Sequence, residues 1–328
     1  MIKKLILGIS LVIVLASCEE KTSQRILTDS FGNINNLTVV IDNSLWKGSL
    51  GDSIRSVFAA PVDGLPREEP IFTLSQIPPS VFNGYALQGR IILKIEKGSE
   101  NEPGVKYMKD AFAKPQRLIL VTGKDNQQII DQIKQDANKI IAVYKNQEIK
   151  ERQRRISKSA LNIKEMEDEL GISLKIPSAY RIAKHDDDFF WIRKDITTGT
   201  TNLMVFELPL DAIKDNDSIV SQITKMRDSI GKKYIPGPSE GSYMVTEKAY
   251  SPMFFTTEIE GRKTYETKGT WEVENAFMAG PYVNYVIEDK TNNRLLVMEG
   301  FAFAPSVAQR EYMFDLEAII KSVKFKKK

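Results

Sequence analysis

The sequence predicts an α+β protein of two domains, each a mainly antiparallel sheet packed with helices. Strand-like runs follow one another along the chain, with helical stretches inserted between groups of them, an order that favours antiparallel sheets over a doubly wound fold. The length of 328 residues exceeds the roughly 100–200 typical of one domain. After residue 18, no stretch is apolar for the roughly 20 residues that a membrane-spanning helix needs.

Lys3 and Lys4 precede an apolar run, Leu5 to Leu15, which ends in the small residues Ala16 and Ser17. A basic start, a short apolar run and a small-residue cut site are the parts of an export signal, assigned here to residues 1–17. The polar, aperiodic segment that follows, 18–36, is expected to be a flexible tether. A first domain, 37–160, opens with the β-branched strand Leu37 to Asp42. Leu45, Trp46, Leu50, Ile54, Val57 and Phe58 then recur at helical spacing up to Pro61. Three further strands are read in "IFTLSQIP", "RIILKIEKG" and "RLILVTG", and a long helix over Asn126 to Ile156 along the stripe Ile129, Ile133, Ala137, Ile140, Ile141 and Tyr144.

The second domain, 161–328, starts with a short helix, Ile163 to Leu170, before Gly171. Two extended stretches flank "HDDD", and "TTNLMVFELPL" continues the sheet. A helix from about Asp217 to Ile230, four strands between Phe254 and Phe303, and a last helix complete the chain. Ser306 with Gln309 has the capping-box spacing for that helix.

Leu15-Ala16-Ser17-Cys18 resembles the bacterial lipobox, in which the cysteine is lipidated and becomes the first residue. Cys18 is the chain's one cysteine, so the mature form is expected to have neither a disulfide nor a thiolate site. Export removes Lys3 and Lys4, leaving 44 basic against 43 acidic residues and a net charge of +1. That balance argues against nucleic acid, which asks for a concentrated basic face. The expected partner is therefore a lipid bilayer through acylated Cys18, with an envelope protein or glycan as a further candidate. Glu19-Glu20-Lys21 resembles, as a short match, the acidic surface-export signals of Bacteroidota lipoproteins. The expected location is the cell envelope, with the outer membrane favoured and its face undecided.

"LTVVIDNSLWKG", "GDSIR", "AAPVDGLPREEPIFTLSQIPP", "NRLLVMEGFAFAPS" and "REYMFDLEAIIKS" together resemble a family of Bacteroidota lipoproteins known as a domain of unknown function. The resemblance spans nearly the whole mature chain and implies location and length; it carries no catalytic residues. The layout "SLKIPSAYRI…FFWIRK…LMVFELPL" is similar to Mog1/PsbP-like α+β sandwiches, which implies a binding or assembly module.

Chemistry-bearing constellations are few. His185, the one histidine, stands in "HDDD", but alternate residues of a strand point to opposite faces, so at most two of the four converge. No metal and no cofactor is expected. No Gly-x-Ser-x-Gly elbow, P-loop or dinucleotide fingerprint occurs, and Ser239 in "GPSEGS" reads as turn chemistry. No catalytic set is therefore assigned; the alternative is an envelope hydrolase using carboxylates, and His185, on glycans or peptides. Arg67, Glu68 and Glu69, in a loop stiffened by Pro66, Pro70 and Gly64, form a candidate partner-contact loop. Ser53, Ser218 and Ser229, each in Asp-Ser-Ile, resemble O-glycosylation acceptors of exported proteins. Lys150, Arg152, Arg154, Arg155 and Lys158 read as a solvated helix end or an anionic-surface contact. Trp46, Trp191 and Trp271, with Phe189 and Phe190, read as packing or as a sugar-stacking platform.

Overall fold

A computed structural model describes residues 27–326, so the signal, the lipobox and Cys18 lie outside the described residues. The fold is α+β, with one large sheet in each half of the chain and two small two-stranded pairs besides.

The first half contains β1 (Asn36–Val40), α1 (Ser49–Phe58), β2 (Thr73–Ile77), β3 (Ile91–Lys97), β4 (Gly104–Lys109), β5 (Arg117–Gly123) and α2 (Asn126–Ile156). Its sheet runs in the order β2–β1–β3–β5–β4. The expectation of a mainly antiparallel sheet fails here: β1 is parallel to β2 and β3, and β3 to β5, leaving β4 as the antiparallel edge. The reason is visible in "RIILKIEKG" and "RLILVTG", whose near-continuous apolar runs suit strands covered on both faces. One face packs Leu37, Leu93, Ile119 and Val121 under α1 and α2. On the other, Val40, Ile92 and Leu118 lie under Phe82 and Phe112 from the connecting loops. The edge strand β4 is half-exposed and mixed in polarity, which is why its pattern did not register as a strand.

The helix expected from Leu45 is broken. Asn43–Trp46 forms a separate turn, and α1 begins after Gly48. Gly51 lets α1 fold back on that turn: a Cβ there would stand 1.9 Å from the Trp46 carbonyl oxygen. The tether also ends earlier than residue 36. Thr28–Asp29 pairs with Ala113–Lys114, and the Phe31 ring stacks on Tyr85 at 3.9 Å. The buried Arg90 guanidinium donates to the Gly32 and Asn33 carbonyls and to both Glu148 oxygens, at 2.6 and 2.8 Å. Glu148 also accepts from the Asn35 backbone N–H. This segment is thus drawn into the body by a fully paired ionic group.

The second half contains α3 (Lys164–Leu170), β6 (Arg181–Asp186), β7 (Phe189–Ile196), β8 (Gly199–Pro209), α4 (Ile219–Tyr234), β9 (Met244–Thr246), β10 (Met253–Ile259), β11 (Arg262–Val273), β12 (Ala276–Asp289), β13 (Arg294–Phe303) and α5 (Arg310–Ile320). Its eight-stranded sheet is antiparallel throughout, in the order β9–β11–β12–β13–β8–β7–β6, with β10 beside β9 on the outer side of β11. Strand alternation sends Phe190, Leu203, Tyr285 and Met298 toward α3 and α5, and Phe189, Met204, Tyr265 and Val297 toward α4.

The two halves share a joint. Helix α2, about 46 Å long at 1.5 Å per residue, runs past its own sheet and meets α5. Ile149 packs with Phe314 and Ala318, Arg152 pairs with Asp315 at 2.5 Å, and Gln153 donates to the Ala318 carbonyl. The capping box expected at Ser306 does not form. Helix α5 starts at Arg310, and the Glu69 carboxylate of the first half accepts from the Gln309 and Arg310 backbone N–H groups at 2.6 and 2.9 Å.

Candidate ligand cleft and the histidine cluster

Trp191 and Trp271, distant in sequence, line one cleft of about 250 Å³ beyond the end of α4. Trp191 follows Phe189 on the α4 side of β7, but α4 ends at Tyr234 and leaves it half-buried. The turn Ile235–Pro238 forms one wall; Trp271, Phe301, Phe303 and Met278 form the floor and far side. Gly237 is required where that turn meets the sheet, since a Cβ would lie 2.4 Å from Ser242 Oγ and 2.5 Å from Val273.

The polar atoms of the floor are satisfied internally. Trp191 Nε1–H donates to Asn202 Oδ1 at 3.0 Å, Asn202 Nδ2 to Thr200 Oγ1 at 3.0 Å, and Trp271 Nε1–H to the Ala302 carbonyl at 3.2 Å. Trp271 meets Phe301 edge-on at 5.7 Å, which holds both rings in place. Arg193 stands at the rim, one-third exposed and paired with Asp195. Such a cleft offers fixed aromatic faces inside and hydrogen-bonding groups at its mouth, the make-up of a small-ligand or side-chain seat. Trp46 is separate, in the first half under the Arg55 guanidinium. Phe190 belongs to the core on the opposite face of the sheet.

His185, on β6 beside Phe190, lies on the opposite face of the sheet. Its ring stacks on buried Phe190 at 4.2 Å, with Nε2 2.8 Å from Glu169 Oε2 and Nδ1 3.3 Å from Glu165 Oε1. The convergence absent from "HDDD" comes instead from α3, where the two glutamates stand one turn apart; Asp186, Asp187 and Asp188 are exposed. Burial works against the imidazolium, but the hydrogen bond to Glu169 and the charges of Glu169 and Glu165 outweigh it and raise the His185 pKa. Ser239 is engaged elsewhere, donating its backbone N–H to Ser242 Oγ.

Arg67 and Glu68 are exposed, Arg67 donating to the Pro305 carbonyl, while Glu69 is half-buried as the α5 cap, so one of the three loop charges faces inward rather than toward solvent. Ser218 and Ser229 are exposed, and Ser53 is half-buried on α1. The basic end of α2 is largely engaged: Arg152 joins the two halves of the chain and Arg154 and Arg155 both pair with buried Glu151, while Lys150 and Lys158 are exposed. Sequence reading missed the ion pair Arg227–Glu299. Buried on both sides, it is bidentate at 2.7 Å, with Asn284 donating to Glu299 and the Tyr282 ring 3.3 Å from the guanidinium. A lone charge four residues after Ile223 on an apolar stripe, and another inside "LLVMEGFAF", were the available signals.

These features define an α+β protein with an aromatic cleft on its second sheet. A family model described as a domain of unknown function, DUF4837, matches residues 159–322, half of the chain, and the chain belongs to that family. A second domain of unknown function, DUF8532, matches residues 30–157. No curated protein matches. Among solved structures, the chain is similar to a Bacteroides thetaiotaomicron VPI-5482 protein, at 14% identity over 48% of this chain and 46% of that one, TM-score 0.26. It thus spans about half the length of that relative. It is also similar to cyanobacterial PsbP from Synechocystis sp. PCC 6803, at 10% identity over 47% and 86% of the two chains, TM-score 0.31. A third likeness is to LpqN, involved in cell envelope biogenesis of Mycobacterium tuberculosis, at 11% identity over 47% and 83%, TM-score 0.27.

Proposed function

We propose that this chain is a lipid-anchored lipoprotein of the bacterial cell envelope, of the Bacteroidota type, acting as a binding or assembly module rather than as an enzyme. The observation that carries the binding reading is the cleft between Trp191 and Trp271: half-buried Trp191 and Phe303 stand at a solvent-open hollow over the buried Trp271 and Phe301, and the indole N–H groups are already paired. A seat of this kind takes an envelope glycan or a protein segment that presents an apolar face. Attachment rests on the Leu15-Ala16-Ser17-Cys18 pattern, with acyl chains on Cys18 contributing about 0.8 kcal/mol per buried CH₂.

One experiment tests both parts. The full chain, its Cys18→Ser variant and its Trp191→Ala variant are expressed in the native background, and membranes are washed in high salt and then solubilised for capture. Wild type and Trp191→Ala are expected to stay with membranes while Cys18→Ser comes off. A component captured by wild type is expected to be lost from Trp191→Ala. Retention of Cys18→Ser overturns the anchor, and identical capture by wild type and Trp191→Ala overturns the cleft.

A further inference from the structure

The cluster on α3 has properties that a structural ion pair does not require. Glu165 and Glu169 are like charges one helical turn apart, a spacing that repels unless a cation stands between them. Among the described residues, neither pairs with a lysine or arginine; their shared cationic neighbour is His185. One nitrogen of the ring and one oxygen from each carboxylate lie within 4.8 Å of one another. A four-coordinate zinc ion, with bonds of about 2.0–2.2 Å, sets its ligands about 3.4 Å apart, so the 2.8 Å contact of Nε2 with Glu169 needs a small opening, and Glu165, which stands 3.3 Å from Nδ1, must turn to the Nε2 side. The ligands are also held in position. Stacking on Phe190 fixes the imidazole plane, and Met166 and Leu170, both fully buried, lock α3 so that its glutamates project over the ring. Both carboxylates are more than one-third exposed and His185 is one-quarter exposed, so an ion has access from solvent.

We propose that Glu165, Glu169 and His185 form a binding site for a divalent transition-metal ion of the zinc type, separate from the aromatic cleft. One imidazole with two carboxylates is a borderline donor set, suited to zinc more than to calcium or magnesium, which take oxygen ligands alone. The ion takes the place of the proton between His185 Nε2 and Glu169, Glu165 leaves Nδ1 and turns onto it from the neighbouring turn, and water completes the coordination. Bound there, it ties α3 to the β6–β7 hairpin.

The test uses the full chain carrying Cys18→Ser, so that the one thiol does not compete, titrated with zinc by calorimetry and with cobalt(II) by visible absorption. The expected result is saturation at one ion per chain, cobalt bands of a low-coordinate site, and a thermal midpoint that rises with zinc. His185→Ala is expected to abolish all three. Glu165→Gln and Glu169→Gln, which keep the imidazole, are each expected to weaken binding on the order of tenfold or more. No saturable binding below about 1 mM, or binding that survives His185→Ala, overturns the site. Loss in His185→Ala with no change in either glutamine variant overturns the three-ligand assignment.

Discussion

Replacing Glu69 by Ala isolates the contact by which the first half of the chain caps a helix of the second. Its carboxylate accepts from two backbone N–H groups at 2.6 and 2.9 Å, at the start of α5, where such groups have no helical partner. Loss of a capping side chain costs about 0.5–2 kcal/mol, and hydrogen bonds to a charged group about 1.5–3 kcal/mol each. Because Glu69 is half-buried, water reaches the freed N–H groups and recovers part of that, which gives an expected loss of about 2 kcal/mol. For a unit of this size, that lowers the melting temperature by about 4–8 °C. Glu68, one residue away and exposed, is the internal control, with an expected change within about 0.5 kcal/mol. Urea unfolding followed by fluorescence reads the effect, since Trp46 reports the first half while Trp191 and Trp271 report the second. A Glu68→Ala loss equal to that of Glu69→Ala, or no loss from Glu69→Ala, would refute the cap.

Arg227→Met leaves Glu299 buried without its guanidinium, and urea unfolding is expected to show a loss of about 3–5 kcal/mol, much of it recovered when Glu299 is also made Met; a single-variant loss under about 1 kcal/mol would contradict this. Burial of Glu151 pushes its carboxyl upward, but the hydrogen bonds from Arg154 and Arg155 and the charges of Arg154 and Arg90 outweigh this and hold its pKa at about 2, below the ordinary 4.5. A depressed carboxyl stabilises above its unfolded pKa and loses that contribution as pH falls through the folded one. Stability should therefore decline between about pH 4.5 and 2, and Glu151→Gln should flatten that part of an acid titration; an unchanged acid limb would count against the pairing.

What the sequence shows of this molecule follows physical range. Helix α2 is legible end to end because its stripe repeats locally from Ile129 to Tyr144, and the longer strands of the second sheet are legible because a half-buried antiparallel strand or a long apolar run declares itself within ten residues, whereas the three-residue β9 is too short to show a period. Strand direction in the first sheet depends on crossover connections, and only the near-continuous apolar character of β3 and β5 hinted at parallel pairing. The cleft was half-legible: the tryptophans stood out as aromatic features, but that Trp191 and Trp271 share a cavity depends on the β7–β8–β13–β12–β11 order. The histidine cluster was read at the wrong neighbours. Asp186 to Asp188 adjoin His185 in sequence, whereas Glu165 and Glu169 reach it only after α3 folds onto the sheet. Glu69 looked like a surface charge because its partners are backbone N–H groups some 240 residues away, which no side-chain pattern records.

The joint between α2 and α5 bears on how the halves travel together. Two family patterns meet near residue 158, as though the chain were two exchangeable pieces. Severing it there would leave Ile149 on one piece, and Phe314 and Ala318 on the other, facing water, and would strip Arg152 from Asp315 and α5 of its cap. Each fragment would acquire a sticky, unpaired surface that the intact chain never displays. The boundary thus divides two family patterns but not the packing: any transfer of either half into another protein must bring a replacement for this joint with it.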